Sequence, residues 1–149
     1  MRPPAIFLVE DETLIRMMLV QIVEELGYKV VAEAASVNDG CSRAEVEDYD
    51  LAILDVNLQG FNVRPVAQAI SRRGLPFVFL TGYGPRGLPE EFIGLPVLAK
   101  PCTPDALKST IEAVLSQRGR QVEALGQGEE PEASGGQRSD RIIPTPYYC

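Results

Sequence analysis

Apolar residues fall in short continuous blocks along the chain: Ala5–Val9, Val30–Ala32 with its flanks, Leu51–Leu54, Phe77–Leu80 and Val97–Ala99. Blocks this short, rich in Val, Ile and Phe, read as strands buried on both faces. Helical spacing lies between them. Leu14, Ile15, Met18, Leu19, Ile22, Val23 and Leu26 recur at intervals of three and four, and Gly27 supplies a stop. Val66 and Ile70, with Pro65 near the start and Gly74 at the end, predict a shorter helix. Thr103-Pro104 opens a last helix carrying Leu107, Ile111, Val114 and Leu115, expected to end by Gly119. Two segments are weaker. Val37 to Asp48 must hold the second helix, with an interruption expected at Gly40. Pro85 to Gly94 contains Pro85, Gly87, Pro89 and Gly94, so a fourth helix there is expected to be short and irregular. Alternating strands and helices predict five βα units and a parallel sheet covered on both faces.

The 149 residues suit one domain and a tail. Hydrophobic residues make up 45%, enough for a core in a domain of this size. After about Arg118 the composition shifts, and Gly126–Asp140 is dominated by Gly, Glu, Gln, Ser and Pro. The domain is therefore expected over 4–119 and a disordered tail over 120–149, although Arg141–Cys149 is apolar and aromatic again. A net charge of −7 disfavours holding a nucleic-acid backbone, which needs a cationic footprint. No apolar run approaches the roughly 20 residues that span a bilayer. The start, Met1-Arg2-Pro3-Pro4, leads into too short an apolar segment for a signal peptide, so a cytoplasmic location is expected.

Cys41, Cys102 and Cys149 are odd in number and widely spaced. That argues against a disulfide framework or a zinc site and for reduced thiols. There is no histidine, which removes Ser-His-Asp and Cys-His catalysis and His-ligated metals. The chain cannot itself be a phosphohistidine donor.

In open parallel sheets ligands bind beyond the carboxyl ends of the strands. The first strand is followed by Glu10-Asp11, the third by Asp55, the fourth by Thr81-Gly82 and the fifth by Lys100-Pro101. All of these are expected on one sheet edge. Three carboxylates together repel unless neutralised, and an all-oxygen site suits a hard cation such as Mg2+. Asp55 could then attack phosphorus to form an aspartyl phosphate. Lys100 would neutralise phosphate charge and the Thr81 hydroxyl would donate to a phosphate oxygen. Taken singly, each residue has a plainer use: Glu10-Asp11 as a helix cap, Thr81-Gly82 as a turn, Lys100 as a surface charge.

With these residues assembled, the chain resembles response-regulator receiver domains from residue 5 to about 118. The matching motifs are Val9-Glu10-Asp11-Glu12, Leu54-Asp55-Val56-Asn57-Leu58-Gln59-Gly60, Leu80-Thr81-Gly82 and Lys100-Pro101. The resemblance implies a flavodoxin-like (CheY-like) α/β three-layer sandwich, with five parallel strands in the order 2-1-3-4-5. It implies Asp55 as phosphoacceptor, with Mg2+ held by Glu10 or Asp11, Asp55 and the backbone carbonyl of Asn57. Thr81 and Lys100 would contact the phosphoryl group, supported by Gly82, Tyr83 and Pro101, and Lys100-Pro101 would be a cis peptide. Such a domain is no enzyme in the usual sense but promotes its own phosphorylation and dephosphorylation. Its partner would be a sensor histidine kinase or phosphotransfer protein, and a phosphorylation-dependent homodimer is compatible with the resemblance.

Gly74–Gly84 is also similar to alphaproteobacterial receivers with a Phe-Ala-Thr-Gly signature, many stand-alone and paired with HWE-type kinases. Leu80 stands where Ala is usual. Receivers commonly carry Tyr or Phe three residues before the Lys, as the ring that reports phosphorylation. Here the residue is Val97.

Two other functions compete. A receiver cut from a transcription factor would lack its output domain, since only about 30 non-basic residues follow the last helix. A phosphatase of the haloacid-dehalogenase type needs a second Asp two residues after the nucleophile as general acid, and that position is Asn57. No Gly-Lys-Ser/Thr loop supports a P-loop enzyme.

Overall fold

The computed structural model describes residues 2–82 and 87–127, with side chains up to Arg118. Five strands form the main sheet: β1 (Ala5–Val9), β2 (Lys29–Ala34), β3 (Leu51–Asp55), β6 (Phe77–Thr81) and β7 (Val97–Ala99). Every pairing among them is parallel and their order is β2-β1-β3-β6-β7, which is 2-1-3-4-5 when these strands alone are counted. Alternate side chains of a strand point to opposite faces, and β1 shows what that produces. Phe7 and Val9 join a core with Leu54, Phe79, Val66 and Ile70. Ile6 and Leu8 join a second core with Leu19, Val23, Leu107 and Ile111. The first core lies under α2 (Val37–Val46) and α3 (Arg64–Arg72), the second under α1 (Thr13–Glu25) and α4 (Pro104–Gln127). This is the expected three-layer sandwich. Both cores press on β1, β3 and β6, which are buried along their whole length, so the strands that carry the acids are firmly held.

Several local signals act as read. Gly27 and Gly74, with φ of 101° and 74°, close α1 and α3. Thr103 Oγ1 accepts the Ala106 N–H at 3.1 Å and caps α4.

Other expectations change. Gly40 does not interrupt α2. A Cβ built there would come 2.9 Å from Val66 Cγ2, so the glycine lets α2 and α3 pack closely while the helix runs through it. Gly119 does not end α4, which continues to Gln127. One glycine costs only about 1 kcal/mol in a helix interior, and Arg120 to Leu125 are mostly good helix formers. The rest of the tail lies outside the described residues. Between β6 and β7 the described residues contain only a 3-10 turn, Glu90–Phe92, in keeping with the irregular fourth helix expected there. Cys102 is free, as expected, and Cys149 lies outside the described residues.

A hairpin escapes the sequence reading. Strands β4 (Asn57–Leu58) and β5 (Phe61–Asn62) pair antiparallel immediately after β3. Gln59 and Gly60 form the two-residue turn with φ of 55° and 87°. Left-handed conformations at both central positions match the twist of a hairpin. Asn57 Oδ1 accepts the Gly60 N–H at 2.8 Å and locks the turn.

Candidate phosphoacceptor site

The parallel ladder brings the strand ends level. Asp55 is paired with Leu80 and Thr81 with Ala99. The Glu10 N–H continues the ladder to the Ala34 carbonyl at 3.0 Å, and the Lys100 N–H continues it to the Thr81 carbonyl at 2.9 Å. Glu10, Asp55 and Thr81 are therefore carried to one edge by main-chain bonds, and all three side chains are buried. Lys100 arrives through a cis peptide to Pro101, as the resemblance implies. An open cleft of about 520 Å³ lies over them, with Asp11, Asn57, Gly82 and Gly87 at its rim.

Lys100 Nζ is the hub. It donates to Asp55 Oδ2 at 3.1 Å and lies 3.0 Å from Glu10 Oε1. Asp55 Oδ1 accepts the Asn57 N–H at 3.2 Å, and Glu10 Oε2 accepts the Glu12 N–H at 3.1 Å. Glu10 Oε1 is within ion-pair distance of Nζ but outside hydrogen-bond geometry. A fully buried carboxylate oxygen is thus left without a hydrogen-bond donor. Buried polar atoms in that state are uncommon and mark sites that a further group completes. Oxygens of Glu10, Asp11 and Asp55 lie within 4.8 Å of one another. Three carboxylates, one of which carries the unsatisfied buried oxygen, fit a small hard cation.

The electrostatics follow from burial. Desolvation pushes the Glu10 carboxyl up to about 7, against the Glu12 N–H and Lys100. Desolvation raises Asp55 as well, opposed chiefly by its bond to Lys100. Burial works against the Lys100 ammonium, but its hydrogen bond to Asp55 and its ion pair with Glu10 outweigh that and leave its pKa above the ordinary value. One cation is shared by a carboxylate pair that burial would otherwise push toward neutrality.

The structure thus lines one cleft with Asp11, Asp55, Asn57, Thr81, Gly82 and Lys100, and places the fully buried Glu10 behind it against Lys100. Pro101 is exposed and borders the cleft only through its peptide to Lys100. Gly82 is also exposed, and a Cβ there would meet nothing within 4 Å, so its own packing does not require glycine. Tyr83 lies outside the described residues. The sequence reading missed three participants. The Gln59 N–H donates to Asp11 Oδ2 at 2.9 Å and ties the hairpin to the acid pair. Asn62 Nδ2 donates to the Gly87 carbonyl at 3.1 Å, and both residues line the cleft. Arg16 reaches back from α1 to the Glu10 carbonyl. Only the Gln59-Gly60 pair carried a sequence signal, as a hairpin turn.

Known proteins agree with this geometry. The family model described as the response regulator receiver domain matches residues 6–112. The transcriptional regulatory protein PdtaR of Mycobacterium tuberculosis is 34% identical over 127 residues, covering 83% of this chain and 62% of that protein. This chain therefore spans less than two thirds of that curated relative. The solution structure of SdrG from Sphingomonas melonis is 40% identical with a TM-score of 0.68, covering 76% of this chain and 97% of that one. The response regulator PhyR from Brucella abortus is 27% identical with a TM-score of 0.70, covering 85% of this chain and 54% of that one. With the sheet order, the strand-end acids and these matches in agreement, the chain belongs to the response regulator receiver domain family of two-component signalling.

Proposed function

We propose that Asp55 is the phosphoacceptor of this receiver and that Lys100 is the cation that makes its phosphorylation feasible. The observation that carries this is the contact of Lys100 Nζ with both Asp55 Oδ2, at 3.1 Å, and Glu10 Oε1, at 3.0 Å. An Asp55 carboxylate oxygen attacks the donor phosphorus. The bond from phosphorus to the donor breaks, its electron pair leaves with the donor, and an acyl phosphate remains on Asp55. Lys100 offsets the added charge and the Thr81 hydroxyl donates to a phosphoryl oxygen. Glu10, Asp11, Asp55 and the carbonyl of Asn57 would hold Mg2+, which supplies neutralisation of the carboxylates and of the incoming phosphate. Gly82, Tyr83 and Pro101 support the phosphoryl-binding edge.

The donor is proposed to be a sensor histidine kinase of the HWE type or a phosphotransfer protein, met in the cytoplasm. The receiver unit is proposed to span 4–119, with output through protein contacts. Among the described residues no helix is long and apolar enough to cross a membrane. Hydrolysis in the manner of a dehalogenase-type phosphatase has no support at Asn57, whose side chain is engaged with Gly60 and carries no acid proton.

Intact-protein mass spectrometry tests the assignment. With Mg2+ and acetyl phosphate the wild type is expected to gain one phosphoryl group and Asp55→Asn none. Equal labelling of the two proteins would remove Asp55 from its role.

A further inference from the structure

We propose that Arg16 is a positioning residue for the cation site, fixing the Glu10–Asp11 peptide so that both carboxylates converge on Asp55. The proposal rests on the Mg2+ reading given above. Adjacent residues of an extended chain point their side chains to opposite faces. Oxygens of Glu10 and Asp11 nevertheless lie within 4.8 Å of each other and of Asp55. The chain must therefore turn between them, and something must hold the turn.

The contacts show what holds it. The pairing of β1 with β3 ends at Val9, so the Glu10 carbonyl lies past that ladder. Arg16 Nη1 donates to this carbonyl at 2.7 Å, a short charge-assisted bond. Arg16 Nε donates to Glu33 Oε1 at 3.2 Å, which anchors the guanidinium to β2. The Arg16 side chain is only 19% exposed. On the other side, the Glu10 N–H is held by the Ala34 carbonyl at 3.0 Å. The Glu10 carbonyl and the Asp11 N–H share one rigid plane. Fixing that carbonyl sets the direction in which Asp11 leaves the strand. Asp11 Oδ2 then meets the Gln59 N–H and faces Asp55. A guanidinium does this better than an ammonium, because its planar fork serves a carbonyl and a carboxylate at once.

Calorimetric titration of the full chain with Mg2+ tests the role, alongside acetyl-phosphate labelling at saturating Mg2+. Arg16→Met keeps the apolar stem and removes the donors. Its Kd for Mg2+ is expected to rise roughly tenfold, the scale of an outer-sphere partner of a metal ligand. Arg16→Lys is expected to fall between it and the wild type. Labelling at saturating Mg2+ is expected to return to the wild-type rate, because Arg16 touches neither Asp55 nor the donor. A purely structural role would lower labelling at every Mg2+ concentration, and that result overturns the proposal. A wild-type Kd in folded Arg16→Met also overturns it. Should Arg16→Met lose its fold, Arg16→Lys decides: a raised Kd supports the proposal and an unchanged one overturns it. A wild-type chain that takes up no Mg2+ overturns the cation reading and this proposal with it, an outcome distinct from equal binding by both proteins.

Discussion

The two crossovers that flank β6 are built differently. The one before it contains α3, which buries Val66, Ala67, Ala69 and Ile70 against α2 and the sheet. The one after it has, among the described residues, a three-residue 3-10 turn. Its anchor is the Phe92 ring, whose centroid lies 5.3 Å from that of Phe77 and 6.0 Å from that of Phe79. Leu88 packs against the same core and Pro89 is buried beside it in sequence. The polar part of its attachment is largely exposed: Arg64–Glu91 at 2.8 Å, Gln68–Glu91 at 2.7 Å and Asn62–Gly87 at 3.1 Å. Asp55 thus sits between firmly packed elements, while the described residues between Gly87 and Leu95 are held by a small apolar contact of Leu88, Pro89 and Phe92 and a few hydrogen bonds. Chemistry needs a nucleophile that stays in place, and signalling needs an element of low local stability that a new phosphoryl group can shift. Val97, half-buried against the core, fills the position where receivers commonly carry a reporting ring. The weakly held crossover is the remaining candidate for that task.

The largest effect is expected at the ring. Phe92→Ala removes the anchor and should lower stability in urea by about 3 kcal/mol, the usual scale for truncating a buried aromatic. Labelling of Asp55 at 25 °C should persist, because no contact in the acid site runs through Phe92. Loss of labelling in a folded Phe92→Ala would break the contrast between a fixed site and a loose crossover.

The firm half carries a strain of its own, in its electrostatics. Without a cation, Glu10 titrates near 7, against an ordinary value of 4.5. A raised carboxyl means that the folded chain holds a proton that the unfolded chain has released. Stability should therefore fall as pH rises from about 4.5 to about 7 and level off above that. With a chelator present, the loss between pH 5 and pH 8 should be on the order of 2 kcal/mol. Glu10→Gln should flatten the slope, and Mg2+ should oppose it by favouring the ionised form. Urea unfolding at the two pH values decides, and a stability that rises over this window would contradict the burial argument.

Gly40→Ala probes the packing of the same half. The added Cβ gains helix propensity of about 1 kcal/mol but meets Val66 Cγ2 at 2.9 Å. Overpacking costs typically 1–3 kcal/mol, so a net loss of about 1 kcal/mol is expected in thermal unfolding. A stabilised variant would show that α2 and α3 have slack.

What could be read from the chain divides along the same line. The five strands were legible because each carries a continuous apolar block, although only the three inner ones are buried throughout and the edge strands β2 and β7 are partly exposed; the acids were legible because each follows such a block directly. Gly40 misled because its reason lies across a helix interface, in Val66, which no local pattern reports. Gly119 misled because a weak local penalty was outvoted by its neighbours. The hairpin was missed because its strands are two residues each, too short for any periodicity, although Gln59-Gly60 carried a turn signal. Arg16 was invisible for a different reason: its partners are a main-chain carbonyl and a residue on the edge strand, 17 positions away.

The smallest effect is the most direct measure of how loosely the second crossover is held. Burial acts to raise the Glu91 carboxyl, but Gln68 and Arg64 outweigh it and hold the carboxyl below its ordinary value. The pair with Arg64 is more than a third exposed on both sides, so solvent screens it and it is worth a fraction of 1 kcal/mol. Glu91→Gln removes the charge and leaves a hydrogen-bonding group of the same shape. If the crossover opens independently of α3, the loss appears only there. The Phe92 and Ile93 amides, bonded to the Pro89 and Glu90 carbonyls, should exchange about twofold faster, which is the factor that about 0.5 kcal/mol gives. The α3 amides should not change. Raising the ionic strength should reproduce the effect in the wild type and leave Glu91→Gln unmoved. Equal acceleration in α3 and the crossover would show that both open as one unit, and the contrast between them would then be one of packing density without a matching difference in dynamics.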